Sequence, residues 1–334
     1  MKILIIPTMR SSRRNFIKRA AALPLLAAAG FPLAKTSAAF APIQRTGGAH
    51  LQTGVNAYSF SELLIANAKD AGKGVDLFGV CDFCAKQNAD AVDLTGYFFP
   101  GYPNVPADEY IFRLKRHAHD LGLTISGTGV RNDFTNADKA VRAAGVKLVK
   151  EWIEVAAKLG APTIRLFADS QSPFKKWQDA SGNAARETVE AWMAESYREC
   201  AEHAQKFGVI LAVQNHGDFI ATGAQHLSLL RRVDHEWCMA LVDTGKYFSD
   251  DPYADIALMA PHAVNWQIKE TLGSRTDSPR TDFKKLAAII RKSGYRGFLP
   301  VETLAMGRKN FDPFVEVAKT LAELREAIAA TGSE

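Results

Sequence analysis

Four polar clusters in this chain each close an apolar run. Val209-Ile210-Leu211-Ala212-Val213 ends in Gln214-Asn215-His216-Gly217-Asp218. Met239-Ala240-Leu241-Val242 ends in Asp243-Thr244-Gly245. Ala263-Val264-Asn265-Trp266 runs into Gln267-Ile268-Lys269-Glu270, and Gly297-Phe298-Leu299-Pro300-Val301 into Glu302-Thr303. Carboxylates, an imidazole, an ammonium and amides gathered in one place can move protons, hold a hard cation or bind a polyol. They are costly to desolvate unless they pair with one another or with a ligand. A single polar residue at a strand end has an ordinary reading as a cap or a solvent-facing group; the whole set does not.

Short apolar runs bounded by polar turns have the pattern of buried strands. When every strand turns polar at the same end, the simplest geometry is a parallel barrel with its site at that end. Side chains alternate along a strand, so residues of one parity face inward. One consistent parity turns Gln214, His216, Asp243, Gln267, Lys269 and Glu302 into the mouth.

The rest of the chain supplies the ring. Residues 54–60, 89–94, 123–129 and 161–167 have strand character, and stretches of helical spacing separate them, as at residues 76–87, 108–121 and 136–159. Gly122 and Gly160 stop two of these. Strand and helix alternate eight times, which predicts a (β/α)8 TIM barrel over residues 54–330. A doubly wound open sheet would favour a glycine-rich phosphate turn after the first strand, and Tyr58-Ser59-Phe60-Ser61 is not one.

The 334 residues carry a net charge of +5, with no dense basic patch interleaved with aromatics, so nucleic acid is not the expected partner. Cys81 and Cys84 form a CxxC inside a helical pattern with no second pair. They read as small buried residues, and no disulfide framework is indicated with Cys200 and Cys238. At the N-terminus, Ser12-Arg13-Arg14-Asn15-Phe16 precedes an apolar stretch over residues 20–33 and then Ser37-Ala38-Ala39-Phe40-Ala41. This resembles a twin-arginine signal peptide spanning residues 1–41, cleaved near Ala39 or Ala41. It predicts the twin-arginine export machinery as a partner and a periplasmic location. A loose linker over residues 42–53 is expected to follow.

The order of the motifs resembles the xylose-isomerase-like barrels: sugar (phosphate) isomerases and epimerases, with relatives that are dehydratases or abasic-DNA nucleases. The resemblance covers residues 54–324. It implies a divalent metal at the mouth, held by Glu, Asp, His and Glu from strands five to eight. The matching positions are Gln214, Asp243, Gln267 and Glu302, so two match and two have become amides. An all-oxygen set of this kind suits Mn²⁺, Mg²⁺ or Ca²⁺ better than Zn²⁺. The resemblance also implies two opposed Glu residues as proton shuttles in the epimerases. Gln214 cannot take a proton, which leaves Glu302 and His216 as acid/base groups and Lys269 to polarise a carbonyl or bind an anion. Lys246 stands where the epimerases often have a substrate-contacting His. Asn215, Arg131 and Arg165 are candidates for holding substrate groups, with a structural ion pair as the alternative for each arginine. Trp266 and the loop from Tyr97 to Tyr102 offer apolar faces for a sugar ring, with core packing or loop anchoring as the equal alternative.

The expected function is a periplasmic isomerase or epimerase that transfers a proton α to a carbonyl of a carbohydrate, with a divalent metal, where one is bound, holding adjacent sugar oxygens and a metal-free site as the alternative. A lyase or dehydratase on an oxidised sugar is the rival, because it needs one base and one acid. A non-catalytic sugar-binding barrel is the third reading. An abasic-site nuclease is disfavoured by the scarcity of His at the strand ends.

Overall fold

The computed structural model describes residues 40–171, 173–273 and 278–332. Eight parallel strands form the ring: β1 (His50–Asn56), β2 (Ala91–Thr95), β3 (Thr124–Gly129), β4 (Thr163–Phe167), β5 (Ile210–Gln214), β6 (Cys238–Asp243), β7 (Ala263–Gln267) and β8 (Arg296–Val301). They pair in the order β7-β6-β5-β4-β3-β2-β1-β8. Most strand positions are buried on both faces, as a parallel sheet sheathed in helices requires. The β7–β8 seam closes through a single bridge at the C-terminal end. Ile268 pairs with Val301, donating its N–H to Pro300 O at 2.8 Å and accepting from Glu302 N at 2.9 Å. That bridge makes Lys269 and Glu302 neighbours on the inner face. The (β/α)8 barrel expected from the sequence is therefore the observed fold.

The outer layer includes α1 (Ser61–Lys69), α2 (Leu77–Lys86), α3 (Asp108–Asp120), α4 (Lys139–Leu159), α5 (Trp177–Ala180), α6 (Arg186–Phe207), α7 (Gly223–Val233), α8 (Pro252–Met259), α9 (Phe283–Lys292) and α10 (Pro313–Thr331). Side chains of Asp76, Asp138, Thr222, Asp251, Asp282 and Asp312 accept N–H bonds at helix starts. Gly160 and Gly208 end α4 and α6 in the left-handed conformation. Cys81, Cys84, Cys200 and Cys238 are all buried free thiols. Burial pushes the Cys81 thiol up to about 12, which agrees with a packing role for the CxxC. No described helix is long and apolar enough to cross a membrane.

Two sequence readings change at the N-terminal side. The linker expected over residues 42–53 is not loose. Phe40 stacks on His262 with ring centroids 4.5 Å apart, Ile43 N–H donates to Pro261 O, and Arg45 donates to Ala263 O at 2.6 Å. Strand β1 begins at His50 inside that segment, paired with Arg296 of β8. Its first residues are mostly polar, so no apolar run marked them. Residues 57–60, expected as strand, form a 3-10 turn capped by the Asn56 side chain. The signal-peptide reading falls on residues 1–41, almost all outside the described residues.

The barrel interior has a polar layer beneath the mouth. Asn265 donates to Asp93 Oδ2 at 2.9 Å and to Thr163 Oγ1 at 3.1 Å. Gly127 makes this possible, since a Cβ there would lie 2.5 Å from Asp93 Oδ2 and 2.7 Å from Asn265 Nδ2. Burial pushes the Asp93 carboxyl up to about 6, partly offset by the Asn265 bond and Arg165.

His226 on α7 is fully buried between Tyr247 Oη at 2.9 Å and Val213 O at 3.0 Å. Burial drives its pKa from 6.5 down to about 3. The unfolded chain binds this proton below pH 6.5 and the folded chain does not. The stability it confers is therefore complete above pH 6.5 and falls as pH drops, by about 1.4 kcal/mol per unit through this group. Asp93 slopes the other way between its ordinary range and about 6. Urea unfolding at pH 7.5 and pH 5 should show the pH-dependent loss diminished by about 2 kcal/mol in His226→Gln. Asp93 is common to both proteins and cancels. An unchanged slope would mean that His226 is not buried neutral.

Candidate active site

The C-terminal ends of the strands surround a cavity of about 590 Å³, a size ordinary for a small-molecule site. Gln214, His216, Gln267, Lys269 and Glu302 all line it, as parity required. Asp243 lies just beneath, fully buried. Its Oδ2 accepts from Gln214 Nε2 at 2.9 Å and faces Lys269 Nζ at 3.5 Å, and its Oδ1 accepts from Gly245 N. Gln214 Nε2 also donates to Gln267 Oε1 at 2.5 Å. Lys269 Nζ donates to Glu302 Oε1. Burial works to lower the Lys269 pKa, but the Asp243 and Glu302 carboxylates outweigh it and hold the ammonium above its usual range. The Lys269 main chain is clamped on both sides, with N–H to Thr244 Oγ1 and C=O accepting from Thr281 Oγ1.

His216 stands on the other side of this cluster. Its Nδ1 lies 2.5 Å from Asp169 Oδ2, and its ring packs on Phe167 with centroids 4.8 Å apart. If Nδ1 carries the proton toward the carboxylate, Nε2 is left as an acceptor for the cavity. Asp169 itself lines the cavity and was not singled out from the sequence. The loop that carries it is pinned by Asp218, whose Oδ2 accepts from Trp177 N at 2.9 Å.

Arg131, Arg165 and Lys246 line the same space. Arg165 is buried and donates to Val130 O and to the Tyr97 hydroxyl, and its guanidinium lies over Phe167 at 4.0 Å. Burial lowers its pKa to about 10, so it stays charged at neutral pH. The missing Cβ of Gly129 leaves room for it. Arg131 is exposed at the rim and rests over Tyr97 at 4.6 Å.

Asn215 and Trp266 do not reach the cavity. Both have the opposite parity. Asn215 splices β5 to β6: its Nδ2 donates to Asp243 O and its Oδ1 accepts from Asp243 N, both at 2.8 Å. It therefore positions the Asp243 backbone. Trp266 faces the helices, fully buried, with its ring 5.7 Å from Tyr295. Neither can touch a ligand in the mouth, so their expected substrate contacts are replaced by structural ones.

The chain matches the family described as xylose isomerase-like TIM barrel over residues 81–330. It belongs to that family. Among solved structures of the same fold, D-psicose 3-epimerase from Clostridium cellulolyticum H10 is 17% identical with a TM-score of 0.68, over 83% of this chain and 99% of that one. An L-ribulose 3-epimerase is also 17% identical, with a TM-score of 0.64 over 85% of this chain and 96% of that one. The 3-keto-D-glucoside 4-epimerase from E. coli is 15% identical, with a TM-score of 0.62 over 83% and 99%. No protein of curated function matches the sequence.

Within this xylose isomerase-like barrel, the four positions expected to hold a metal do not fit one. The two carboxylates already share an ammonium, and the Gln214 amide turns its nitrogen toward Asp243. One neutral oxygen, Gln214 Oε1, is buried without a donor. Among the described residues no cluster of three or more His, Cys, Asp or Glu is placed to bind an ion. The four side chains are linked through Lys269 and the Gln214 amide into a hydrogen-bonded ion-pair network.

Proposed function

We propose that this chain is a carbohydrate isomerase or epimerase that moves a proton on the carbon next to a carbonyl. The observation that carries this reading is the convergence of an Asp169-held imidazole and the Lys269–Glu302 pair on one polar cavity. His216 Nε2 takes the proton from the substrate carbon. The Lys269 ammonium stabilises the negative charge that develops on the carbonyl oxygen. Glu302 Oε1 is held by Lys269, and this carboxylate is the candidate to take the proton of the neighbouring substrate hydroxyl and then return it. Gln214 Oε1, buried and lacking a donor, is an acceptor that a sugar hydroxyl would satisfy. Tyr97 and Arg131 form a wall suited to a polar ring. The sugar epimerases of the same fold support a carbohydrate as the substrate class.

The proposed acid/base groups are chemically unlike, a His–Asp pair and a lysine-bound Glu. That asymmetry favours elimination from a keto-sugar as the second reading. One NMR experiment separates the two. D-Fructose, D-tagatose, L-ribulose and a 3-keto-D-glucoside are incubated with the protein in D₂O. Isomerisation or epimerisation exchanges one carbon-bound hydrogen for deuterium and gives a product of the same composition. Elimination gives an unsaturated product. Binding without either outcome leaves a sugar-binding barrel. The Arg13-Arg14 pattern supports export by the twin-arginine machinery to the periplasm. Cleavage after Ala39 would keep Phe40 on His262, whereas cleavage after Ala41 would remove that contact.

A further inference from the structure

We propose that the Lys269 ammonium is a built-in cation that takes the place of a divalent metal between Asp243 and Glu302. Three observations lead there. First, Lys269 Nζ bonds Glu302 Oε1 and lies 3.5 Å from Asp243 Oδ2, with all three side chains about 5% exposed or less. These two carboxylates are the acidic members of the four strand-end positions, so the ammonium sits where their charge converges. Second, the two amides complete a network made for N–H donors. Gln214 Nε2 satisfies both Asp243 Oδ2 and Gln267 Oε1, so a cation at that point would meet an amide NH₂. Turning the amide over would aim Gln214 Oε1 at a carboxylate oxygen. Third, the lysine is placed by the fold. The Ile268–Val301 bridge sets residues 269 and 302 side by side, and Thr244 and Thr281 fix the Lys269 backbone.

Charge makes the two cations exclusive. Two carboxylates and one ammonium leave a single net negative charge, and a dication a few ångströms from the ammonium would be repelled at low dielectric. For an ion to enter, the buried Lys269 would have to leave both of its carboxylate partners. The ammonium can supply what a metal would supply in such a cavity, a fixed positive charge beside a substrate oxygen, but as a hydrogen-bond donor. The inference concerns the same cavity as the proposed isomerase site. It stands or falls on ion binding, whether or not any sugar is turned over.

The test is a titration of the EDTA-dialysed, folded protein with MnCl₂, read by calorimetry, by metal analysis after gel filtration, and by thermal unfolding. The wild type should retain less than about 0.1 equivalent, and its Tm should not move. Lys269→Met should bind Mn²⁺ at least about tenfold more tightly than wild type, because two buried carboxylates lose their counter-ion. Adding Gln214→Glu and Gln267→His should bring retention to about one equivalent and make Tm rise with Mn²⁺. One equivalent in the wild type, lost in Asp243→Asn, would overturn the proposal. So would a folded Lys269→Met that binds no more tightly than wild type. If Lys269→Met does not fold, the wild-type titration decides alone.

Discussion

Glu302→Gln is expected to lower kcat by about 10³-fold on whichever sugar the wild type turns over, with KM changed little. Glutamine keeps the size of the side chain and an acceptor for Lys269, so the ring closure at Ile268–Val301 should survive. What it removes is a group that can take and return a proton. It also removes one of the two carboxylates that hold the Lys269 ammonium above its usual range. Asp243 remains, 3.5 Å from Nζ, so the lysine should stay charged at neutral pH. The check is steady-state kinetics alongside thermal unfolding. A loss below about tenfold would make Glu302 only the lysine's counter-ion and move proton transfer entirely to His216. A loss of the same size in Tm-matched protein, with no deuterium exchanged from D₂O, would place Glu302 on the proton's path.

The sequence revealed the ring because the parallel strands are buried on both faces and their apolar runs end at one rim. Period-two parity then sorted the mouth. Gln214, His216, Gln267, Lys269 and Glu302 line the cavity, and Asp243 supports them from below. The same rule would have turned Asn215 and Trp266 outward, as the structure does. It would also have found Asp169. Arg165, Phe167 and Asp169 share one parity, and the strand pattern simply ends before the last of them. Asp169 was hidden in a polar loop because its role depends on an imidazole 47 positions later. Pairing across the barrel was the part least accessible to sequence. Which carboxylate an ammonium chooses depends on a seam between β7 and β8 that has one bridge. Residue types at the four strand-end positions specify donors only; that a lysine two residues beyond Gln267 lies between the two carboxylates is a matter of the same seam. The start of β1 was missed because His50-Leu51-Gln52-Thr53 pairs through its backbone with β8 and needs little apolar patterning to do so.

Asp169→Asn should lower kcat by about 10²–10⁴-fold through His216, which is the residue that touches substrate in the proposed reaction. Asp169 is a positioning residue. Its Oδ2 fixes which imidazole nitrogen carries the proton, and its charge steadies the imidazolium once His216 has taken a proton from carbon. An amide at the same place keeps a similar shape but can present NH₂ to Nδ1. That would stabilise the opposite tautomer and aim an N–H, not a lone pair, at the substrate. A merely structural role predicts something different, namely a fall in Tm with kcat per folded molecule preserved. Two comparisons separate these outcomes. Asp169→Glu should recover part of the activity, since it restores the carboxylate at some cost in geometry. The double variant with His216→Ala should be no slower than His216→Ala alone, because removing the imidazole leaves Asp169 nothing to orient. Additive losses in that cycle would show that Asp169 acts on the substrate or the loop directly. The cavity would then have to be read as two independent polar groups beside a lysine-neutralised pair.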